Sequence, residues 1–292
     1  MTKKLADLRA HANSALIEFV RTPRAMFRRR ANQKSTTSIA CRGLTKLLAS
    51  AFPVPKHDGT SCTRCSLPAA RAFRTKRERS WVVPVRSNAP LVKCRGRGDR
   101  AHGIVVDEQI EEYVRTGTLQ SGTADPCTLS LLAYLRDKGW APIATQVPIY
   151  SEQLGGFATA IDLLCTDAET RSQLILVEVK STRLRGKPAL LDECYRTSVG
   201  KATGALRGLP LSRYTQHQLQ LWCMRYTVER ECGVKLDASV VLRTSPHAVD
   251  CYPLNSWFDG RERALVRRFH GTSRRFKPKR RRRPQTAVSS AV

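Results

Sequence analysis

Two hydrophobic rhythms alternate between residues 103 and 254. In the stretch from Gly103 to Val114, Val106, Ile110, Tyr113 and Val114 share one face at helical spacing, and Gly117 offers a stop. Asp125-Pro126 places an N-cap residue before a proline suited to the first helical position, so a second helix is expected to run from there to Gly139. The rhythm then shortens to two. Strands are predicted over 143–150, 156–165 and 174–180, the last almost wholly apolar and therefore central in a sheet. Ser212 caps a long helix that ends at Gly233, and two more strands follow at about 238–244 and 248–254. Helix, three strands, helix and strand pair make an α/β fold with a central mixed sheet flanked by helices. Residues 183–210 are rich in Gly, Pro and basic side chains and show no rhythm. A further helix is expected over residues 2–20.

Charge divides the chain in the same places. The whole carries 51 Lys and Arg against 24 Asp and Glu, a net charge of +27. Residues 1–100 hold 23 basic and 5 acidic residues, 101–260 hold 16 and 18, and 261–292 hold 12 and 1. A near-neutral domain (101–260) between a basic, mostly irregular N-terminal region (1–100) and a basic C-terminal tail (261–292) is the expected organisation, with both arms largely disordered. Such a surplus calls for a polyanionic partner. No run of about 18 apolar residues exists, so no membrane partner is expected. Lys277 to Pro284 is a basic run of the nuclear-import type, which favours a nuclear location. The acid-poor, Arg-rich first thirty residues leave a mitochondrial one as the alternative.

Ten cysteines at uneven spacing do not form a disulfide framework; Cys127, Cys165 and Cys223 fall inside apolar segments, where a thiol behaves as a small hydrophobe. His57 with Cys62 and Cys65 is half of a zinc pattern, lacking its matching pair.

The chemistry is concentrated in two strands. Asp162 follows Thr159-Ala160-Ile161, and Glu178 interrupts Leu176-Val177-Glu178-Val179-Lys180. A carboxylate in a central strand is costly unless it is paired. Glu178 and Lys180 are two apart and so share a face, and Asp162 joins them if its strand is the neighbour. Two carboxylates suit a hard divalent ion such as Mg2+ or Mn2+, which activates water and clamps a phosphodiester oxygen, while a lysine stabilises the charge that develops.

These motifs, over roughly residues 103–254, resemble the PD-(D/E)XK nuclease superfamily, in its RecB-like and lambda-exonuclease-like branch. Ile161-Asp162 resembles the family's metal-binding aspartate, and Glu178-Val179-Lys180 its E-x-K, with the Val179 carbonyl as a further ligand. Gln218 to Trp222 is similar to the Q-x-x-x-Y helix motif, with Trp222 in the tyrosine position, where Gln218 would hold the lysine or a phosphate. Gly103 to Asp107, with Glu111 beyond, is similar to the G-x-x-x-H helix, with Asp107 in place of the histidine. The resemblance implies a restriction-endonuclease-like core and a metal-dependent DNA nuclease. Its metal set would be Asp162, Glu178, Val179 and Glu111, with Asp107 or no helix residue as the alternative to Glu111, and its activity exonucleolytic, in DNA processing, repair or recombination alongside partner proteins of those processes. Arg183, Arg185, Lys187, Arg196, Lys201 and Trp222 would contact DNA. The alternative is a nucleic-acid-binding protein that has kept the fold without the chemistry.

Overall fold

The computed structural model describes the backbone of residues 3–10, 17–20, 26–30, 38–45, 48, 80–83, 92–95, 98–119, 124–182, 192, 195–198 and 200–274. The N-terminal region supplies helix α1 (Lys3–Ala10) and strands β1 (Ile17–Val20), β2 (Met26–Arg30), β3 (Ser38–Gly43), β4 (Ser80–Val83) and β5 (Val92–Arg95). Then follow α2 (Gly98–Thr116), α3 (Pro126–Asp137), β6 (Trp140–Ser151), β7 (Phe157–Asp167), β8 (Ile175–Ser181), α4 (Arg213–Tyr226), β9 (Ala238–Thr244), β10 (Val249–Pro253) and α5 (Glu262–Arg274).

Local chemistry sets the boundaries of the central elements. Asp125 caps α3 by accepting a hydrogen bond from the Cys127 amide, with Pro126 at the first helical position. Gly139, at φ 65°, supplies the left-handed turn from α3 into β6. Ser212 caps α4 by accepting from the Thr215 amide. The first helix starts earlier than its apolar stripe does, because Gly98 to His102 add a turn ahead of Val106.

Strands β6 to β10 form a mixed sheet flanked by helices. β7 is antiparallel to β6 and β8, β8 is parallel to β9, and β10 returns antiparallel to β9. α4 lies in the connection between the parallel pair, as a crossover requires. On one face α2 and α3 bury Val106, Ile110, Leu131 and Leu135 against Val177, Val179 and Leu242. On the other, α4 packs Leu219, Leu221 and Cys223 over Leu164 and Leu176. Burial raises the pKa of the Cys165 and Cys223 thiols, which keeps them in the neutral form expected of small hydrophobes. No helix among the described residues is long and apolar enough to cross a membrane.

The folded unit reaches beyond 101–260 in both directions. β3 runs parallel to β7 at Arg42–Gly43 against Phe157–Ala158, and β2 and β1 extend the sheet to eight strands. Leu8, Leu44 and Leu48 are sealed in the same core as Phe157, and so are Leu265 and Phe269 of α5. Of the helix expected over 2–20, Lys3–Ala10 is helical, and Ile17–Val20 pairs as a strand instead. Three successive arginines, Arg28 to Arg30, hid that pairing, since a charged strand carries no apolar rhythm.

Candidate metal centre

β7 offers its free edge at one place. β6 pairs along the length of β7 on one side; on the other, β3 pairs at residues 157–158 and β8 at 163–165. The gap falls at residues 159–162. The β6 register passes over Gln146 opposite Asp162, and Gln146 is held at φ 48°, a strained conformation for a residue with a side chain. Where the strands part, Asp162 Oδ2 accepts a hydrogen bond from the Val179 amide at 3.0 Å, so the side chain replaces the missing ladder bond.

This places three charged groups together. Lys180 Nζ donates to Glu178 Oε1 and lies 3.8 Å from Asp162 Oδ2. Glu178 is fully buried, whereas the side chains of Asp162 and Lys180 keep 19% and 28% of their surface open, so the cluster has a dry floor and an accessible mouth. Burial pushes the Glu178 carboxyl up to about 8; the nearby Asp162 and Asp107 carboxylates add to this and Lys180 opposes it. Burial works against the Lys180 ammonium, but Glu178 and Asp162 hold its pKa above the ordinary lysine value, so it stays charged.

The donor set fits a hard divalent cation. Three carboxyl groups, Asp107, Asp162 and Glu178, act on the Lys180 ammonium. Glu178 Oε2 is buried with no hydrogen-bond partner. An orphaned carboxylate oxygen in a dry site costs several kcal/mol in principle, and an oxygen-seeking ion relieves that cost.

Several expected site residues stand elsewhere. Gln218 is fully buried; it donates to the Tyr252 carbonyl at 3.5 Å and accepts from the Asn255 amide at 2.8 Å, so it ties α4 to β10 and the residues just after it rather than to Lys180. Gln220, two residues on, is the glutamine at the cluster, donating to Glu178 Oε1. Trp222 is only 9% exposed and stacks at 5.3 Å on Tyr226 and 6.1 Å on Phe258, so its ring serves the core. Glu111 is exposed one turn past Asp107, and Asp107 is the helix carboxylate whose charge acts on Glu178 and Lys180. Arg196 is paired with Asp192 at 3.0 Å and lies over the rings of Tyr214 and Tyr252, bracing the segment after β8. Lys201 is exposed beside its bridge to Pro210. Arg183, Arg185, Lys187, His57, Cys62 and Cys65 lie outside the described residues.

Two further groups adjoin the cluster without any motif to announce them. Tyr195 Oη lies 2.7 Å from His217 Nδ1. Burial holds the phenol protonated, so it is the donor. Burial and then the Lys180, Arg213 and Arg243 cations pull the imidazole well below its usual pKa, so a neutral His217 stands near the lysine. His217 and Gln220 are three apart on α4, one helix face directed at one site.

The two glutamines therefore have separable roles. Gln218→Ala leaves two backbone groups without their side-chain partner and is expected to lower stability by about 1–3 kcal/mol in denaturant unfolding. Gln220→Ala removes a hydrogen-bond partner of Glu178 and is expected to weaken Mn2+ binding by about 10-fold or more in calorimetric titration, with little loss of stability. The reverse pattern would return Gln218 to the site.

No protein-family model matches the chain, and no curated protein sequence is significantly similar to it.

Proposed function

We propose that this protein is a metal-dependent deoxyribonuclease with a restriction-endonuclease-like core. The observation that carries the reading is the convergence of Asp162, Glu178 and Lys180 around the orphaned Glu178 Oε2. Asp162, Glu178 and the Val179 carbonyl would hold Mg2+ or Mn2+, with Asp107 better placed than Glu111 to join them. A divalent ion there supplies a water of lowered pKa and polarises a phosphoryl oxygen.

The chain's own groups do the rest. Lys180, kept charged by its two carboxylates, donates to a non-bridging phosphate oxygen as negative charge builds on it. Gln220 fixes the Glu178 carboxylate by holding Oε1, which leaves Oε2 for coordination. The gap in the β7 edge keeps the Asp162 side chain at the Val179 amide, so both acidic ligands come from strands and hold their geometry without loops. DNA as substrate rests on the charge surplus, and exonuclease action in DNA processing, repair or recombination, with a nuclear location, rests on the motif resemblance and the basic C-terminal run.

The test compares linear and closed circular DNA, with Mg2+ and with chelator, using wild type and Asp162→Asn. Asparagine keeps an oxygen for the Val179 amide and removes the charge, so the fold is retained while metal binding fails. Mg2+-dependent loss of linear DNA by wild type alone, about 10³-fold above the variant, is the expected result. DNA retained but uncut by wild type points to a binding protein with an idle site.

A further inference from the structure

A second cluster of donor atoms lies where α2, α3 and the end of β8 meet. His102, near the start of α2, has Nε2 at 3.1 Å from each oxygen of Asp125. Cys127, in the first turn of α3, has Sγ at 3.6 Å from the Thr182 carbonyl. The ligand atoms of His102, Asp125 and Cys127 all lie within 4.8 Å of one another. His102 is 1% exposed and Cys127 fully buried.

We infer that His102, Asp125 and Cys127, with the Thr182 carbonyl, form a zinc-class metal site distinct from the carboxylate centre. The donors are an imidazole, a thiol and a carboxylate, a set that selects zinc over magnesium. Around tetrahedral zinc, with bonds of about 2.0 Å to nitrogen and oxygen and 2.3 Å to sulfur, neighbouring ligand atoms stand about 3.3–3.6 Å apart. The Cys127–Thr182 separation meets that spacing, and the His102–Asp125 separation is a few tenths short of it.

A simple His–Asp clasp accounts for less. Asp125 already caps α3, with Oδ1 accepting from the Cys127 amide at 2.9 Å. The clasp does not involve Cys127, whose buried Sγ stands beside it and 3.6 Å from the Thr182 carbonyl. Metal there ties α2, which carries Asp107, to α3 and to a point two residues past Lys180. Its role is therefore structural, bracing the elements beside the carboxylate centre.

The experiment uses the full chain carrying Cys62→Ser and Cys65→Ser, which removes the other thiol pair with zinc spacing. Metal content after zinc loading and gel filtration is expected to be about one per chain, and cobalt substitution to give a near-ultraviolet thiolate-to-cobalt charge-transfer band. Adding His102→Gln or Cys127→Ser is expected to reduce bound zinc at least about fivefold, and the latter to abolish the band. A parent protein that binds no zinc, or shows no thiolate band with cobalt, overturns the inference without need of the variants. Unchanged zinc in both variants also overturns it. None of these readouts involves DNA cleavage, so the site stands or falls apart from the nuclease proposal.

Discussion

Replacing Lys180 by alanine is expected to slow metal-dependent DNA cleavage about 10³-fold while leaving divalent-metal affinity undiminished. The two effects separate because the ammonium lies among the acidic ligands without being one of them, bonded to Glu178 and 3.8 Å from Asp162. Taking it away deletes a donor to the phosphate and a positive charge that competes with the ion for the same carboxylates. Glu178→Gln, by contrast, removes a ligand and should lose metal binding and cleavage together. Truncating one partner of a buried ion pair usually costs about 3–5 kcal/mol, since the remaining charge is stranded. Here Glu178 is already pushed up to about 8, so without its lysine it accepts a proton and keeps its bond from Gln220. Lys180→Ala should therefore fold. Single-turnover cleavage at saturating Mg2+, beside Mn2+ titration of the same preparation, decides the point. Retention of more than about a tenth of the wild-type rate would reduce Lys180 to a counter-ion.

That cluster was legible in the sequence because strand geometry is local. Glu178 and Lys180 share a face by the period of two, whatever surrounds them, and Ile161-Asp162 needed only an adjacent strand. The break in the β7 edge that gives Asp162 its place was not legible. It depends on β3, from more than a hundred residues earlier, and on the kink at Gln146.

Helix α4 shows the limit more sharply. Its cap and apolar face follow from Ser212 onward, although the α-helix expected to reach Gly233 ends at Tyr226, yet Gln218 and Gln220 stand about 200° apart around the axis. Which of them meets Glu178 is set by how the helix rotates on the sheet, a matter of packing by Leu219, Leu221 and Cys223 rather than of spacing. The motif resemblance chose Gln218, and the structure puts Gln220 there. His102 and Asp125 were invisible for a related reason: 23 residues and a helix separate two groups that tertiary packing brings to 3.1 Å.

The basic tail is where charge, not geometry, should govern function. Removal of residues 275–292 takes away seven Lys and Arg and no acid, while sparing α5, whose Leu265 and Phe269 belong to the core. Each phosphate neutralised on duplex DNA contributes about 0.9 to the slope of log affinity against log salt. If the tail engages DNA with all seven cations, the truncated protein should lose about six from that slope, and its affinity near 50 mM salt should drop at least about 10²-fold. The metal centre lies far from the cut in sequence and keeps its whole framework, so cleavage of DNA supplied at saturation should continue at close to the full-length rate. This contrast separates tethering from chemistry, because a defect in the core would lower the saturated rate as well. Fluorescence anisotropy from 50 to 300 mM salt measures the slope directly. Equal slopes for the two proteins would mean that the cluster from Lys277 to Arg283 is not a DNA contact, and would leave the arginines on the exposed side of α5 and the N-terminal region to carry the affinity.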